Sequence, residues 1–352
     1  MWIILNNLPN KVPTTKYPTS HNSQIKGKDS VMSRSLRAVL PTVLCLMLSA
    51  VFCLAQGGVT NSTDNAQQVA LLHWYNANQT TAFSVGATPG GVAYDGANLW
   101  VVSQTGNSVT KLRTNDGATL GTFAVGNSPI GVAYDGANIW VANFNDNTVS
   151  KLRGSDGSLL GIFATGQEPY GIAFDGANLW VANSASNNVT KLRASDGTTL
   201  GTFNVGQFPT HLAVDGTNVW ITNAASNNVT KIRMSDGAVL GTFKVGTSPR
   251  GIAYDGASLW VANSGSGTVT KLKASDGAVQ GKFTVGSTPY GVVFDGANIW
   301  VVNFGSSTVT KLAASSGAVQ GTFSVGSGPE DAAFDGASIW VVNVNDGTVS
   351  KL

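Results

Sequence analysis

Apolar and polar residues along this chain follow a block of 40 residues that repeats without insertion from Thr81 to the end. Each block holds one tryptophan between aliphatic residues, and an Asp-Gly pair begins five residues before it. The tryptophans are Trp100, Trp140, Trp180, Trp220, Trp260, Trp300 and Trp340. A fixed period of this length is typical of stacked units that bury their apolar faces only against their neighbours.

Each block predicts four short β-strands. In the second block we expect them at residues 129–135, 138–143, 148–153 and 159–165. The third of these alternates, with Val149 and Lys151 on one face and Ser150 and Leu152 on the other. The Asp-Gly pairs supply a residue that tolerates positive φ in a tight turn. Four strands per repeat predict an all-β fold, a β-propeller of four-stranded blades.

The ends of the repeat array predict how the ring closes. Strands of the first three kinds occur seven times, and the first copy of the fourth kind, residues 81–85, precedes all of them. The last predicted strand, residues 348–352, is of the third kind. We therefore expect 81–85 to pair with 348–352, which would close seven blades (residues 81–352) and remove the open sheet edges.

The first 80 residues have a different character. We expect residues 1–31 to be a misassigned upstream start or a disordered extension, and residues 32–55 to be a signal peptide. A retained membrane anchor is the alternative, although the apolar run is short and contains Pro41. Residues 56–80 predict a linker and a short helix. The protein would then be secreted, periplasmic or on the cell surface, with no membrane contact after cleavage.

Charge and cysteine content narrow the functional classes. The 352 residues include 21 Lys and Arg against 19 Asp and Glu. Because six of the basic residues and one acidic residue lie before residue 57, the repeat body is mildly acidic, which argues against nucleic-acid binding. Both cysteines, Cys45 and Cys53, also precede the repeats. The repeats therefore contain no disulfide, cysteine metal site or cysteine nucleophile.

Three repeated side chains are best interpreted as structural. The tryptophans would fill the space between blades, whereas a ligand platform would need exposed rings. The lysine that follows each tryptophan by eleven residues predicts a solvated outer face. The Asp-Gly pairs lack the Asp-x-Asp-x-Asp spacing of a calcium loop.

The repeat Pro-x-Gly-Ile-Ala-x-Asp-Gly-Ala-Asn-x-Trp-Val-x-Asn, followed by Thr-Val-Thr-Lys-Leu and Gly-Thr-Phe-x-Val-Gly, resembles the YVTN-type propeller repeats of bacterial secreted proteins. The resemblance covers residues 81–352. It implies that the proline strand is innermost and the Gly-Thr-Phe strand outermost, with the Asp-Gly turns on one face. That family includes surface-layer and binding proteins. The broader group is similar to virginiamycin B lyase, a metal-dependent enzyme on a seven-bladed propeller.

The face opposite the Asp-Gly turns is the variable one. After the loop proline the blades carry Gly90, Ile130, Tyr170, Thr210, Arg250, Tyr290 and Glu330. The next residue is glycine except at His211 and Asp331. After the Asn position the blades carry Gln104, Phe144, Ser184, Ala224, Ser264, Phe304 and Val344. Variation around one channel mouth is typical of a binding face, and drift at exposed loops is the alternative.

We therefore expect a monomeric binding protein, without a cofactor, that holds a peptide, glycan or protein at this mouth. The candidate ligand-binding residues are Tyr170, Arg250, Tyr290, Phe144, Phe304, His211 and Glu330, with Phe208 as a further apolar surface. Arg250 would clamp a carboxylate or phosphate.

Two alternatives remain open. One is a metal-dependent lyase or hydrolase, for which His211, Glu330 and Asp331 are the only candidate catalytic residues. These lie in blades four and seven, across the channel, beyond the hydrogen-bond reach that a base and its partner need. No His-x-Glu or Glu-x-His motif is present, and we expect no metal ligands. The other alternative is a structural cell-surface module with no ligand.

Overall fold

The computed structural model of this chain describes residues 82–352. The predicted signal peptide, linker and short helix lie outside these residues. Twenty-eight β-strands form seven antiparallel four-stranded sheets, and within residues 82–352 no helix is long and apolar enough to cross a bilayer. The predicted seven-bladed propeller is confirmed.

The strands follow the 40-residue repeat. The chain starts with β1 (Ala82–Ser84). Blade one contains β2 (Pro89–Tyr94), β3 (Asn98–Ser103), β4 (Ser108–Arg113) and β5 (Thr119–Ala124). Blade two contains β6 (Pro129–Tyr134), β7 (Asn138–Asn143), β8 (Thr148–Arg153) and β9 (Leu159–Ala164). Blade three contains β10 (Pro169–Phe174), β11 (Asn178–Asn183), β12 (Asn188–Arg193) and β13 (Thr199–Asn204). Blade four contains β14 (Pro209–Val214), β15 (Asn218–Asn223), β16 (Asn228–Arg233) and β17 (Val239–Lys244).

The remaining blades keep the same order. Blade five contains β18 (Pro249–Tyr254), β19 (Ser258–Asn263), β20 (Thr268–Lys273) and β21 (Val279–Thr284). Blade six contains β22 (Pro289–Phe294), β23 (Asn298–Asn303), β24 (Thr308–Ala313) and β25 (Val319–Ser324), with a 3-10 turn at Phe304–Ser306. Blade seven contains β26 (Pro329–Phe334), β27 (Ile339–Asn343) and β28 (Thr348–Lys351). In blade two the predicted strands differ from these bounds by one residue at two ends.

The first strand completes blade seven. The sheet order is β1-β28-β27-β26, and Phe83 pairs with Val349 in the antiparallel register of β1 and β28. The predicted closure is confirmed, and one blade is built from both ends of the repeat array.

The core is divided into seven apolar clusters, one at each junction between neighbouring blades. At the junction of blades two and three, Trp140 and Val149 pack against Leu179, Val181 and Leu192. Six of the repeated tryptophans are completely buried and Trp300 is 9% exposed. The structural interpretation of the tryptophans is confirmed, because no open ring face is available to a ligand.

Each Asp-Gly turn is tied to its tryptophan. The Asp135 carboxylate accepts hydrogen bonds from Asn138 N at 2.6 Å and from Trp140 Nε1 at 2.7 Å. Burial raises the pKa of Asp135, but these hydrogen bonds outweigh it and the net pKa is lowered. Gly136 has φ +95°, a conformation that favours glycine. The same two hydrogen bonds and the same glycine conformation recur around the ring, so this face is built for stability.

The lysine prediction is wrong. Lys151 is 7% exposed, and its Nζ lies 4.8 Å from the Trp140 ring centroid. Nζ donates a hydrogen bond to the carbonyl of Ala194, in the next blade, at 2.7 Å. The lysine stands opposite the tryptophan on the neighbouring strand, so its stem covers the ring and its amine reaches the next blade. Equivalent bonds come from Lys111, Lys191, Lys231, Lys271 and Lys351, and the last reaches Thr114 across the closure.

Candidate functional site

The channel mouth is built where the seven inner strands begin. Each inner strand begins with a proline. The residue after this proline borders the channel, and the residue after that faces the inner strand of the neighbouring blade. There a Cβ on Gly91 would come within 2.6 Å of the Ile130 carbonyl oxygen, so glycine permits close approach of the strands. His211 and Asp331 replace this glycine in blades four and seven. At this second position, polar side chains therefore occur only in blades four and seven.

Arg250 lies at the centre of an aromatic cage. Its guanidinium carbon lies 5.2 Å from the Tyr290 ring centroid, 5.8 Å from that of Phe208 and 5.9 Å from that of Tyr170. Its Nη1 donates to the Tyr170 hydroxyl at 3.5 Å, and its Nε is buried without a hydrogen-bond partner among the described residues. Such stacking holds a guanidinium in place without neutralising it.

The aromatic contacts extend outward from this cage. Tyr170 packs edge-on against Phe144, with ring centroids 6.3 Å apart, and Tyr290 packs against Phe304 at 5.0 Å. All the sequence-predicted mouth aromatics therefore belong to one connected surface.

Phe208 has a strained backbone. Its φ is +54°, and the equivalent residue has positive φ in all seven blades. The loop therefore imposes the conformation, which is costly for a bulky side chain. The other blades carry Thr88, Ser128, Glu168, Ser248, Thr288 and Gly328 here. Blade four carries phenylalanine at this position, and its ring is the one that lies against Arg250.

His211 is an uncharged imidazole in the channel wall. Burial lowers its pKa to about 3, and the neighbouring Arg250 charge acts in the same direction. Its ring lies 5.5 Å from that of Tyr170, and its Nδ1 is buried without a partner among the described residues. It therefore offers an unused polar atom at physiological pH.

Thr222 holds this region together and was missed from the sequence. Its Oγ1 accepts a hydrogen bond from His211 N at 3.1 Å and donates to the Arg250 carbonyl at 2.7 Å. The other blades carry alanine or valine at this position, as Ala142 and Val302 illustrate. A threonine where the other repeats have alanine or valine is the sequence signal that could have identified Thr222.

Glu330 and Asp331 form an acidic pair on β26. Burial, followed by the Asp331 charge, raises the pKa of Glu330 to about 7, although Arg250 and the Tyr170 hydroxyl partly offset the shift. Burial raises the pKa of Asp331 to about 6, against a hydrogen bond from Val92 N at 3.2 Å. Neither carboxylate belongs to an ion pair within residues 82–352.

A cavity of about 70 Å³ lies in the channel beside these groups. It is lined by Gly91, Ile130, Gly131, Val132, Tyr170, Gly171, Ile172, His211, Glu330 and Asp331. The three candidate catalytic residues thus share one cavity. No hydrogen bond joins His211 to either carboxylate in the described chain, as we expected for residues from opposite sides of the ring.

The mouth does not fit the divalent metal that the lyase alternative needs. Across residues 82–352 no three His, Cys, Asp or Glu side chains are grouped closely enough to hold an ion. A catalytic metal site usually takes three protein ligands. No metal-dependent step can therefore be derived from these residues.

Known structures share this fold. Hydrazine synthase of Kuenenia stuttgartiensis matches with a TM-score of 0.69 and 20% identity, covering 75% of this chain and 95% of that one. A streptogramin B lyase matches at 0.65 and 18%, covering 75% and 93%. Virginiamycin B lyase from Staphylococcus aureus matches at 0.65 and 17%, covering 78% and 96%.

These likenesses define the architecture. The chain is a β-propeller of the kind found in virginiamycin B lyase, but identities this low carry fold and not chemistry. No protein-family model and no curated protein sequence matches the chain. The resemblance to YVTN-type repeats therefore stays a prediction.

Proposed function

We propose that this protein is a non-enzymatic binding propeller that holds an anionic group of a peptide, glycan or protein against Arg250 at the channel mouth. The signal sequence predicted at residues 32–55 would place it outside the cytoplasm, and we expect it to act as a monomer.

The observation that carries the proposal is the unused hydrogen-bonding capacity of Arg250. Its charge is stacked among three rings, and Nε has no acceptor in residues 82–352. A buried donor without a partner costs roughly 1–3 kcal/mol. A ligand carboxylate or phosphate would supply the missing acceptor, and the surrounding aromatic faces would bury the rest of the bound segment.

The cavity beside Glu330 and Asp331 adjoins the Arg250 cage through Tyr170, and its size limits which part of a ligand can enter it. About 70 Å³ is well below the roughly 300–1,000 Å³ of pockets that enclose small molecules. The ligand therefore lies on the mouth and inserts one small group. This geometry favours a chain end or side group of a larger molecule over an enclosed metabolite.

The test is a thermal-shift and calorimetry screen of the purified chain against acidic peptides, uronic-acid glycans and cyclic depsipeptides, with and without divalent metal. We expect binding by an anionic member of the panel. Arg250→Gln should weaken it by about 10- to 100-fold, since hydrogen bonds to a charged group contribute about 1.5–3 kcal/mol. Tyr170→Ala and Tyr290→Ala should also weaken it.

The matched control is Arg193→Gln, because Arg193 is half-exposed and paired with Asp196, away from the mouth. It should leave binding unchanged. A ligand that binds equally well to wild type and Arg250→Gln would refute the assignment. Turnover of a depsipeptide with metal would favour the lyase, and silence across the panel would favour the structural module.

A further inference from the structure

We propose that the cavity beside Glu330 and Asp331 binds a primary ammonium group at the end of an unbranched alkyl chain. The inference rests on the proposed function, because this group would belong to the ligand held at the mouth. The ligand would then carry an ammonium group in addition to the anionic group that binds Arg250, and the two binding sites lie next to each other.

The cavity is rich in acceptors. Two successive residues contribute carboxylates, neither of which pairs with a cation in the described chain. The glycine-lined junctions add the carbonyl oxygens of Ile130 and Tyr170, which a side chain on Gly91 or Gly131 would overlap. An ammonium group brings three N–H donors and one positive charge, which this set of acceptors lacks.

His211 supplies an independent sign of a missing partner. Its imidazole lines the same cavity, and Nδ1 is buried without a hydrogen bond among residues 82–352. As an unprotonated ring nitrogen, Nδ1 accepts an N–H donor without adding charge. The acidic pair by itself does not explain why a third acceptor without a partner lines the same cavity.

The volume of the cavity limits the size and branching of the ammonium group that it can hold. The cavity of about 70 Å³ is small. It favours a terminal methylene and its ammonium over a bulkier quaternary ammonium or branched amine. A lysine-like side chain and a free aminoalkyl compound share this chemistry.

Charge balance makes binding depend on pH. The groups that face Glu330 are Asp331 on its own strand, Tyr170 on β10, His211 on β14 and Arg250 on β18. The carboxyl groups hold protons up to pH 6–7, so an ammonium ion must displace them. Affinity therefore rises as pH increases from 5 to 8. Arg250 opposes any cation nearby, since like charges repel.

The test uses n-propylammonium chloride on the whole chain, with binding followed by NMR shifts of the Gly131 and Gly171 amides at pH 5 to 8. We expect saturable binding that tightens at least tenfold over this range. Glu330→Gln and Asp331→Asn should each weaken it at least tenfold and flatten the pH dependence. Arg250→Gln should tighten it. Tetramethylammonium and sodium chloride, at equal ionic strength, should not shift these amides.

Two results would overturn the proposal. One is an equal response to all three cations, and the other is propylammonium binding that Glu330→Gln leaves unchanged. If a variant fails to fold, calorimetry of the wild type in buffers of different ionisation enthalpy still decides, since proton release at pH 6 is required. Nα-acetyl-lysine amide and free aminoalkanes then distinguish the two sources of the group.

The two proposals fail separately. Loss of Arg250-dependent binding by anionic ligands would remove the proposed function but not propylammonium binding. Absence of propylammonium binding alongside Arg250-dependent ligand binding would remove only the ammonium site.

Discussion

Among single residues, Glu330 shows most clearly how a polar group in the channel can lower the stability of the folded state. Its carboxyl group lies in a channel where burial and Asp331 both disfavour the charged form. A protein that needed only a filled channel would gain from an uncharged residue here. Glu330 therefore marks a position where local stability is given up, as is common at binding sites.

The pH dependence of stability tests this conflict. The pKa of Glu330 is about 7 in the folded state and about 4.5 in the unfolded state. The folded state therefore holds the proton more tightly, so this contribution is present below pH 4.5 and is lost as pH rises towards 7. We expect Glu330→Gln to be more stable than wild type at pH 8, by about 3 kcal/mol, and equal to it at pH 4.

Urea unfolding of both proteins at pH 4 and pH 8 measures the difference. Glu168→Gln is the matched control, because it makes the same change on the loop before β10. Equal stability of wild type and Glu330→Gln at pH 8 would contradict the assigned environment.

At the element scale, the unit of assembly is the contact between one blade and the next. Asp135 fixes the turn, Trp140 fills the junction, and Lys151 crosses from the tryptophan face to the Ala194 carbonyl. Phe163 packs at a tilt against Trp140, with ring centroids 5.5 Å apart, and also lies against Gly197 of the following blade. Each blade is therefore joined to its neighbour by apolar and polar contacts at once.

Removing the lysine amine should weaken one junction. We expect Lys151→Met to lower the free energy of unfolding by about 1–3 kcal/mol, because it leaves the Ala194 carbonyl unsatisfied and removes the cation–π contact. The melting temperature should fall by about 2–6 °C in a domain of this size. Lys244→Met, on an exposed outer strand, should change it little. Equal melting temperatures for the two variants would contradict a stabilising role of Lys151 at the junction.

At the scale of the whole molecule, ring closure depends on a short pairing. Within residues 82–352, three residues of β1 pair with β28, and Phe83 adds packing against Trp340 and Gly117. The inner strands add a second closing contact, from Val92 N to Asp331. The candidate site and the closure therefore share a junction, between blades seven and one.

Phe83→Ala should loosen this closure selectively. We expect amides of β28 to exchange with deuterium at least tenfold faster, since the strand would open locally. Phe163→Ala removes the equivalent ring at an ordinary junction and should leave β28 exchange unchanged. Hydrogen-exchange mass spectrometry compares the two variants, and equal β28 exchange in both would refute a special role for the closure.

The fold could be predicted from the sequence because the same pattern of residues occurs in seven repeats. The Asp-Gly turn and the tryptophan at fixed spacing define the strands, and the misplaced first strand at 81–85 defines the closure. Comparison between repeats also picked out Tyr170, Arg250 and Glu330 as departures from the pattern. These signals lie within single repeats, so they can be identified without knowing which residues are close together in space.

The contacts of those residues and of the lysines could not be predicted in this way, because they join different blades. Lys151 looked exposed because alternation along one strand cannot reveal the carbonyl that a neighbouring blade provides. Arg250 and Phe208 are 42 residues apart, and their stacking exists only because the blades curve into a ring. The raised pKa of Glu330 likewise comes from burial in the channel that the blades form together, with the charge of the adjacent Asp331, and Arg250 and Tyr170 on other blades partly offset it. Sequence periodicity fixes each blade, whereas the chemistry of the mouth arises from long-range packing between blades.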